Sequence, residues 1–212
     1  MTEYLTEQEQ IQQLKTWVKQ YGPTVLLGIA AALVITFCWR YWQAHELAFS
    51  QRASIAYDSL LNLRTDNKNS DTVLGAKSIV KDYAKTPYAD MATLMLARDA
   101  VLKKEYPAAI STLNNLINHS DSPPIREIAR IRIARILIDE NKIKDALAVL
   151  NKIDDPSFIG LINEVRGDAF LAINNQEAAK KAYQLALKQI PNAETLRPIL
   201  EMKLNQENTI KT

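Results

Sequence analysis

The stretch GLINEVRGDAFLAINNQEAAKKAYQLALKQIP, Gly160–Pro191, decides the fold. In it Gly167 is followed three residues later by Phe170, then nine later by Ala179, and after that by Tyr183, Ala186 and Pro191. Moving back 33 residues, the same places hold Ala134, Leu137, Ala146 and Leu150; moving back another 37, they hold Ala97, Ala100, Ala109 and Leu113. Asn141 and Asn174 fall at equivalent turns, and the four extra residues fall in the link Ser120–Pro124. A period of this length marks a stack of helical hairpins.

The spacing has a steric cause. Two antiparallel helices cross closely where small side chains face each other, so Ala97 is expected to meet Ala109, Ala134 to meet Ala146, and Gly167 to meet Ala179. Each hairpin leaves an apolar flank that a neighbour must cover, which is why such units come in arrays. The pattern of small residue, aromatic, Ala, aromatic, Ala, Pro resembles the tetratricopeptide repeat. It predicts an all-α chain with units at about 43–87, 90–122, 127–156 and 160–191, closed by a capping helix at 194–205. Helices are expected at Gln43–Leu63, with an apolar side of Ala44, Leu47, Ala48, Ile55, Tyr57, Leu60 and Leu61, and at Thr72–Lys85, with a loop over Arg64–Asp71 between them. Thr93, Arg130 and Asn163 stand where such repeats carry a bulky apolar residue, and Arg166 replaces a leucine. A generic antiparallel helical bundle is the alternative architecture.

Upstream, Gln20–Trp39 is 20 residues without a charge. At about 1.5 Å per residue that is about 30 Å, the thickness of a bilayer core. Trp17 and Tyr21 lie at one edge and Trp39, Tyr41 and Trp42 at the other, as aromatic belts do. A transmembrane helix over 20–42 is predicted, after a short tail 1–19 and before a soluble domain 43–212. Pro23 is expected near the helix start, where its missing donor costs little. The apolar run is too long for a cleaved signal peptide, and Phe37 before Cys38 does not suit a lipoprotein. Lys15 and Lys19 on one side balance Arg40 and Arg52 on the other, so charge leaves the orientation open. Thr24, Gly28, Ala32 and Thr36 recur every four residues, a stripe that would let another membrane helix approach closely.

Twenty-six basic and 24 acidic residues are mixed along the chain, without the basic block that nucleic acid requires. Cys38 is the single cysteine, which excludes a disulfide framework. His45 and His119 lie in no ligand spacing, and His119 is expected in an inter-repeat loop. Asp139-Glu140 and Asp154-Asp155 read as capping or solvated pairs. No nucleophile elbow or phosphate loop is present. The expected class is therefore a binding module without catalytic, cofactor or metal residues. Arg126, Arg130, Arg132 and Arg135 spread over several faces of one helix, with Glu127 a local partner for Arg130.

The first helix of each hairpin would line a groove. The positions facing it are Met91, Leu94, Arg98 and Val101; then Ile128, Ile131, Arg135 and Ile138; then Leu161, Glu164, Asp168 and Leu171. An apolar groove with a column of Arg98, Arg135 and Asp168 suits hydrophobic stretches of partner or unfolded chains. The competing expectation is that the capping helix folds back and fills it.

The span opening Tyr21-Gly22-Pro23, the exit run Trp39-Arg40-Tyr41-Trp42, the repeats, and the ending Leu200-Glu201-Met202-Lys203-Leu204-Asn205 together resemble the ancillary SecYEG translocon subunit family, the YfgM-like proteins. That resemblance implies a single-pass protein of the bacterial inner membrane, with a cytoplasmic N-terminus and a periplasmic repeat domain. It implies as partners the SecYEG translocon, a PpiD-like periplasmic chaperone and unfolded exported proteins, and it brings no catalytic residues. A scaffold for another envelope assembly, such as cell division or stress signalling, and an enzyme are the other classes open.

Overall fold

Between Gly28 and Gly75 the sequence has neither glycine nor proline to break a helix. In a computed structural model describing residues 7–66, 69–189 and 197–209, a single helix α1 accordingly runs over Glu7–Thr65. Two compact units divide the chain, Met1–Arg52 and Ala53–Thr212. The regular elements among the described residues are all helices, without a strand.

In the first unit the helix extends well ahead of the apolar run, so Pro23 lies in the helix interior and not at its start. Its absent N–H leaves the Lys19 carbonyl without the usual donor four residues on. The apolar window is wholly unburied within the chain, and Phe37 is 74% exposed. Trp17 lies tilted against Tyr21 with ring centroids 5.9 Å apart, and Trp39 meets Trp42 edge-on at 5.9 Å. This helix is long and apolar enough to cross a membrane once.

In the second unit Leu60 of α1 packs with Ala76, Ile79 and Ala92, flanked by Ala56 and Tyr57, and Ala53 is buried on the same helix. That face follows the spacing 53, 56, 57, 60, so the expected apolar side was misassigned at Leu47, Ile55 and Leu61, which are exposed. α2 is Asn69–Asp82, so the loop expected over Arg64–Asp71 is shorter: Asp71 lies in the first turn of α2, where a carboxylate is favoured. Thr86 then caps α3, its hydroxyl accepting from the Ala89 N–H at 3.3 Å, with Pro87 at the first helical position.

Three hairpins follow: α3 (Pro87–Leu102) with α4 (Tyr106–His119), α5 (Pro123–Asp139) with α6 (Ile143–Leu150), and α7 (Ile159–Ala172) with α8 (Gln176–Gln189). His119 therefore sits in the last turn of α4 and not in a loop. The first helices begin ahead of the expected unit starts because Pro87 and Pro123 open α3 and α5, while a 3-10 turn, Pro156–Phe158, leads into α7. Asp155 accepts from the Ser157 N–H and hydroxyl at that turn, and these bonds hold its carboxyl below the ordinary range. α6 is only 8 residues long and closes at Asn151, whose N–H bonds back to the Leu147 and Val149 carbonyls. Ile153 of the resulting link tucks into the core.

The repeat is most visible in its turns. Lys104, Asn141 and Asn174 all take a left-handed conformation, with φ of 62°, 60° and 58°. The next residue's N–H closes on the carbonyl five back each time: Glu105 on Ala100 (2.9 Å), Lys142 on Leu137 (2.8 Å) and Asn175 on Phe170 (2.9 Å). These acceptors are the three residues that the sequence period made equivalent, and the bonding is that of a Schellman turn. Each helix packs on the next, and α3, α5 and α7 also pack on one another in order. The crossing residues Ala97, Ala109, Ala134, Ala146 and Ala179 are all buried.

The helix expected at 194–205 is α9, Arg197–Thr209. Pro191 and Glu194, which the sequence places at the end of the third unit and the start of the cap, lie outside the described residues. Leu200 is buried against Tyr183 and Ala186 of α8.

Candidate protein-binding face

The polar residues at apolar positions find specific partners. Thr93 is buried and returns its hydroxyl to the Ala89 carbonyl at 2.8 Å. Arg130 binds both oxygens of Glu127 at 2.7 Å, the local pair expected. Asn163 donates to Gln189 at 2.7 Å, and Arg166 reaches Asn163 and Asn151 at 3.3 and 2.8 Å. Burial of these groups is thereby tolerated.

The twelve positions expected to line a groove separate into three environments. Leu94 and Ile131 are core, at 8% and 6% exposure, packed among Ala97, Ala129 and Ala134. Met91, Val101, Ile128, Ile138 and Leu161 are half-buried, whereas Arg98, Arg135 and Leu171 are exposed. Glu164 is buried and Asp168 half-buried.

The expected column of Arg98, Arg135 and Asp168 is divided. Arg135 pairs with Glu164 at 3.1 Å, while Asp168 takes Lys203 at 2.6 Å and the Tyr183 hydroxyl at 2.7 Å. Lys203, from α9, also reaches Glu164 at 3.3 Å and lies 5.5 Å over the Tyr183 ring. Through Lys203 the capping helix thus holds Glu164 and Asp168 of the third set, while Leu171 stays exposed. Glu164, at 6% exposure, keeps its charge company with two cations, as a buried carboxylate must.

Two participants were missed from the sequence. Lys203 could be placed only once the cap was known to return onto α7. Arg132 is one of four arginines that the sequence spreads over several faces of α5, and its guanidinium is half-buried and donates to the Leu94 carbonyl at 3.1 Å. Burial first, then the charges of Arg135 and Arg98, hold it below the ordinary arginine value. A guanidinium remains charged at neutral pH even so.

Among the described residues no group of three His, Cys, Asp or Glu is placed to hold a metal. His45 and His119 are exposed; His119 Nδ1 lies 2.9 Å from the Asn115 carbonyl. In the span, Thr24, Gly28, Ala32 and Thr36 are exposed within the chain, and Thr36 returns its hydroxyl to the Ala32 carbonyl at 2.7 Å.

A family model described as a tetratricopeptide repeat-like domain matches residues 15–208. The chain belongs to that family. Its curated relatives include proteins named ancillary SecYEG translocon subunit, the family already suggested by the span and the repeats. One from Haemophilus influenzae is 28% identical over 201 residues, covering 95% of this chain and 97% of the relative. One from Escherichia coli is 23% identical with the same coverage. One from Neisseria gonorrhoeae is 24% identical over 97% of this chain and 99% of its own length. Among solved structures, a chain titled MamA RS-1 ArsTM double mutant superposes with a TM-score of 0.51 at 12% identity, over 75% of this chain and 96% of that one. That likeness concerns the fold.

Proposed function

We propose that this chain is a non-enzymatic, membrane-anchored protein-binding subunit that works beside the Sec translocon. Its span sits in the bacterial inner membrane with the N-terminus in the cytoplasm and the repeats in the periplasm. There it assists a PpiD-like chaperone in receiving newly exported proteins. One observation carries the reading: the likeness to relatives named for the translocon runs through both span and repeats, over 95% of this chain and 97% of theirs. A shared repeat alone would not support it, since such repeats serve many partners. The exposed aromatic-edged span supports membrane anchoring. The orientation and the chaperone come from the family resemblance.

The test is mild crosslinking in living cells followed by purification of the full chain. Recovery of translocon subunits together with a membrane-anchored periplasmic chaperone is the expected result. Recovery of a cell-division or stress-signalling assembly in their place would reassign the protein to that scaffold. For orientation, alkaline phosphatase fused after Thr212 is expected to be active; activity of a cytoplasmic reporter alone reverses it.

A further inference from the structure

We propose that Arg98, Arg132 and Arg135, on α3 and α5, form the docking site for an acidic segment of a partner protein, one presenting Asp or Glu beside apolar residues. The inference deepens the protein-binding reading above and rests on it.

The three guanidiniums are neighbours by construction. Arg132 donates to the carbonyl of Leu94, and Arg98 stands one helical turn past Leu94 on the same face of α3. Arg135 follows Arg132 by three residues on α5. Their proximity is felt electrostatically, since both Arg98 and Arg135 disfavour the charged form of Arg132.

Among the described residues their charge is only partly answered. Arg64 pairs with Asp99 at 2.8 Å and Arg130 with Glu127 at 2.7 Å. Arg98, by contrast, makes no hydrogen bond or ion pair among the described residues. Arg132 has a neutral carbonyl for its partner, and Arg135 shares Glu164 with Lys203. The ion pairs on this face are Arg135 and Lys203 with Glu164, and Lys203 with Asp168; neither Arg98 nor Arg132 joins them. Lys203 engages both carboxylates, so the uncompensated charge lies at the arginines.

Three like charges held together on adjoining helices oppose one another, and an acidic ligand removes that cost on binding. The guanidinium fork matches a carboxylate in bidentate geometry. Val101 and Ile138, each three residues past an exposed arginine, are half-buried and leave apolar surface at the edge of the cluster. A polypeptide supplies carboxylates and apolar side chains in one segment. Anionic lipid and free phosphate supply the charge with different neighbours, and they become outcomes of the test.

The full chain is placed in phosphatidylcholine nanodiscs and titrated with a fluorescent peptide of Glu and Leu in helical spacing. Its control replaces each Glu by Gln. The Glu peptide is expected to bind about tenfold tighter than the Gln peptide, and less tightly as salt rises. Arg98→Glu, at an exposed and unpaired position, is expected to abolish that preference with helicity unchanged, and Arg98→Lys to retain part of it. Equal binding of both peptides, or a Glu preference untouched by Arg98→Glu, overturns the proposal. So does Arg98-dependent capture of phosphatidylglycerol vesicles or inorganic phosphate without Glu-peptide binding, which assigns the cluster to that anion. The broader reading is scored separately by co-purification of the wild-type chain. If the translocon is recovered and the peptide result is negative, the acidic-segment inference alone falls; if the converse holds, the translocon reading alone falls.

Discussion

At its crossing the second hairpin places Ala134 on α5 and Leu150 on α6, both fully buried. The third places Gly167 on α7 and Tyr183 on α8 at the equivalent positions. A Cβ built on Gly167 would lie 2.3 Å from Tyr183 Cε1 and 2.5 Å from Cδ1, so the ring occupies the space that the alanine methyl fills one unit earlier. The volume is kept and its owner changed, which is how a repeat drifts in sequence while its backbone stays constant. The two units differ on the corresponding face of their first helices as well. Arg135 of the second is exposed, whereas Glu164 and Asp168 of the third are held by Lys203 of α9.

The largest effect is expected where that face turns inward. Ile131→Glu puts a carboxylate into the core of the second hairpin and should cost roughly 3–5 kcal/mol, read as loss of cooperative melting. Retention of the native melting temperature would mean that Ile131 lies on an open groove after all. Next comes Gly167→Ala, which should cost about 2–3 kcal/mol in the third hairpin even after the helix propensity gained over glycine. Adding Tyr183→Leu recreates the Ala-Leu pair of the second hairpin, so the double variant should recover at least about 1 kcal/mol of that loss. Strict additivity of the two changes in denaturant melts would break the equivalence of the two crossings.

These two cases show what the sequence could and could not reveal. Small residues at fixed spacing gave the hairpins, the buried alanines and the turn at Asn141 and Asn174, because each is dictated by local sterics. The face of α1 was misread at Ile55 and Leu61 because apolar residues on that helix outnumber those the core can cover. Leu94 and Ile131 were placed in a groove because the repeat position alone does not say how far successive first helices close on each other. Arg132 and Lys203 depended on contacts 38 and 39 residues away in sequence.

A smaller effect separates the crossing from the solvent side of the same helix. Ala179→Leu should cost roughly 1–3 kcal/mol by overpacking, while Lys180→Leu, on the exposed face, should change the melting temperature little. Equal stability of the two would shift the register of the third hairpin. The smallest change is a gain. Lys104 holds a left-handed conformation that Asn141 and Asn174 adopt with less strain, so Lys104→Asn should stabilise the chain by about 0.5–1 kcal/mol. A loss of stability there would show that the Lys104 side chain contributes more than its backbone costs.

The central claim is that partners are met through the face of the first helices. A photo-crosslinking residue placed in cells at Val101 on α3, and separately at Lys180 on α8, tests it most directly. The account predicts crosslinks to translocon or chaperone subunits from position 101 and none from position 180. Crosslinks from position 180 with none from position 101 would contradict it.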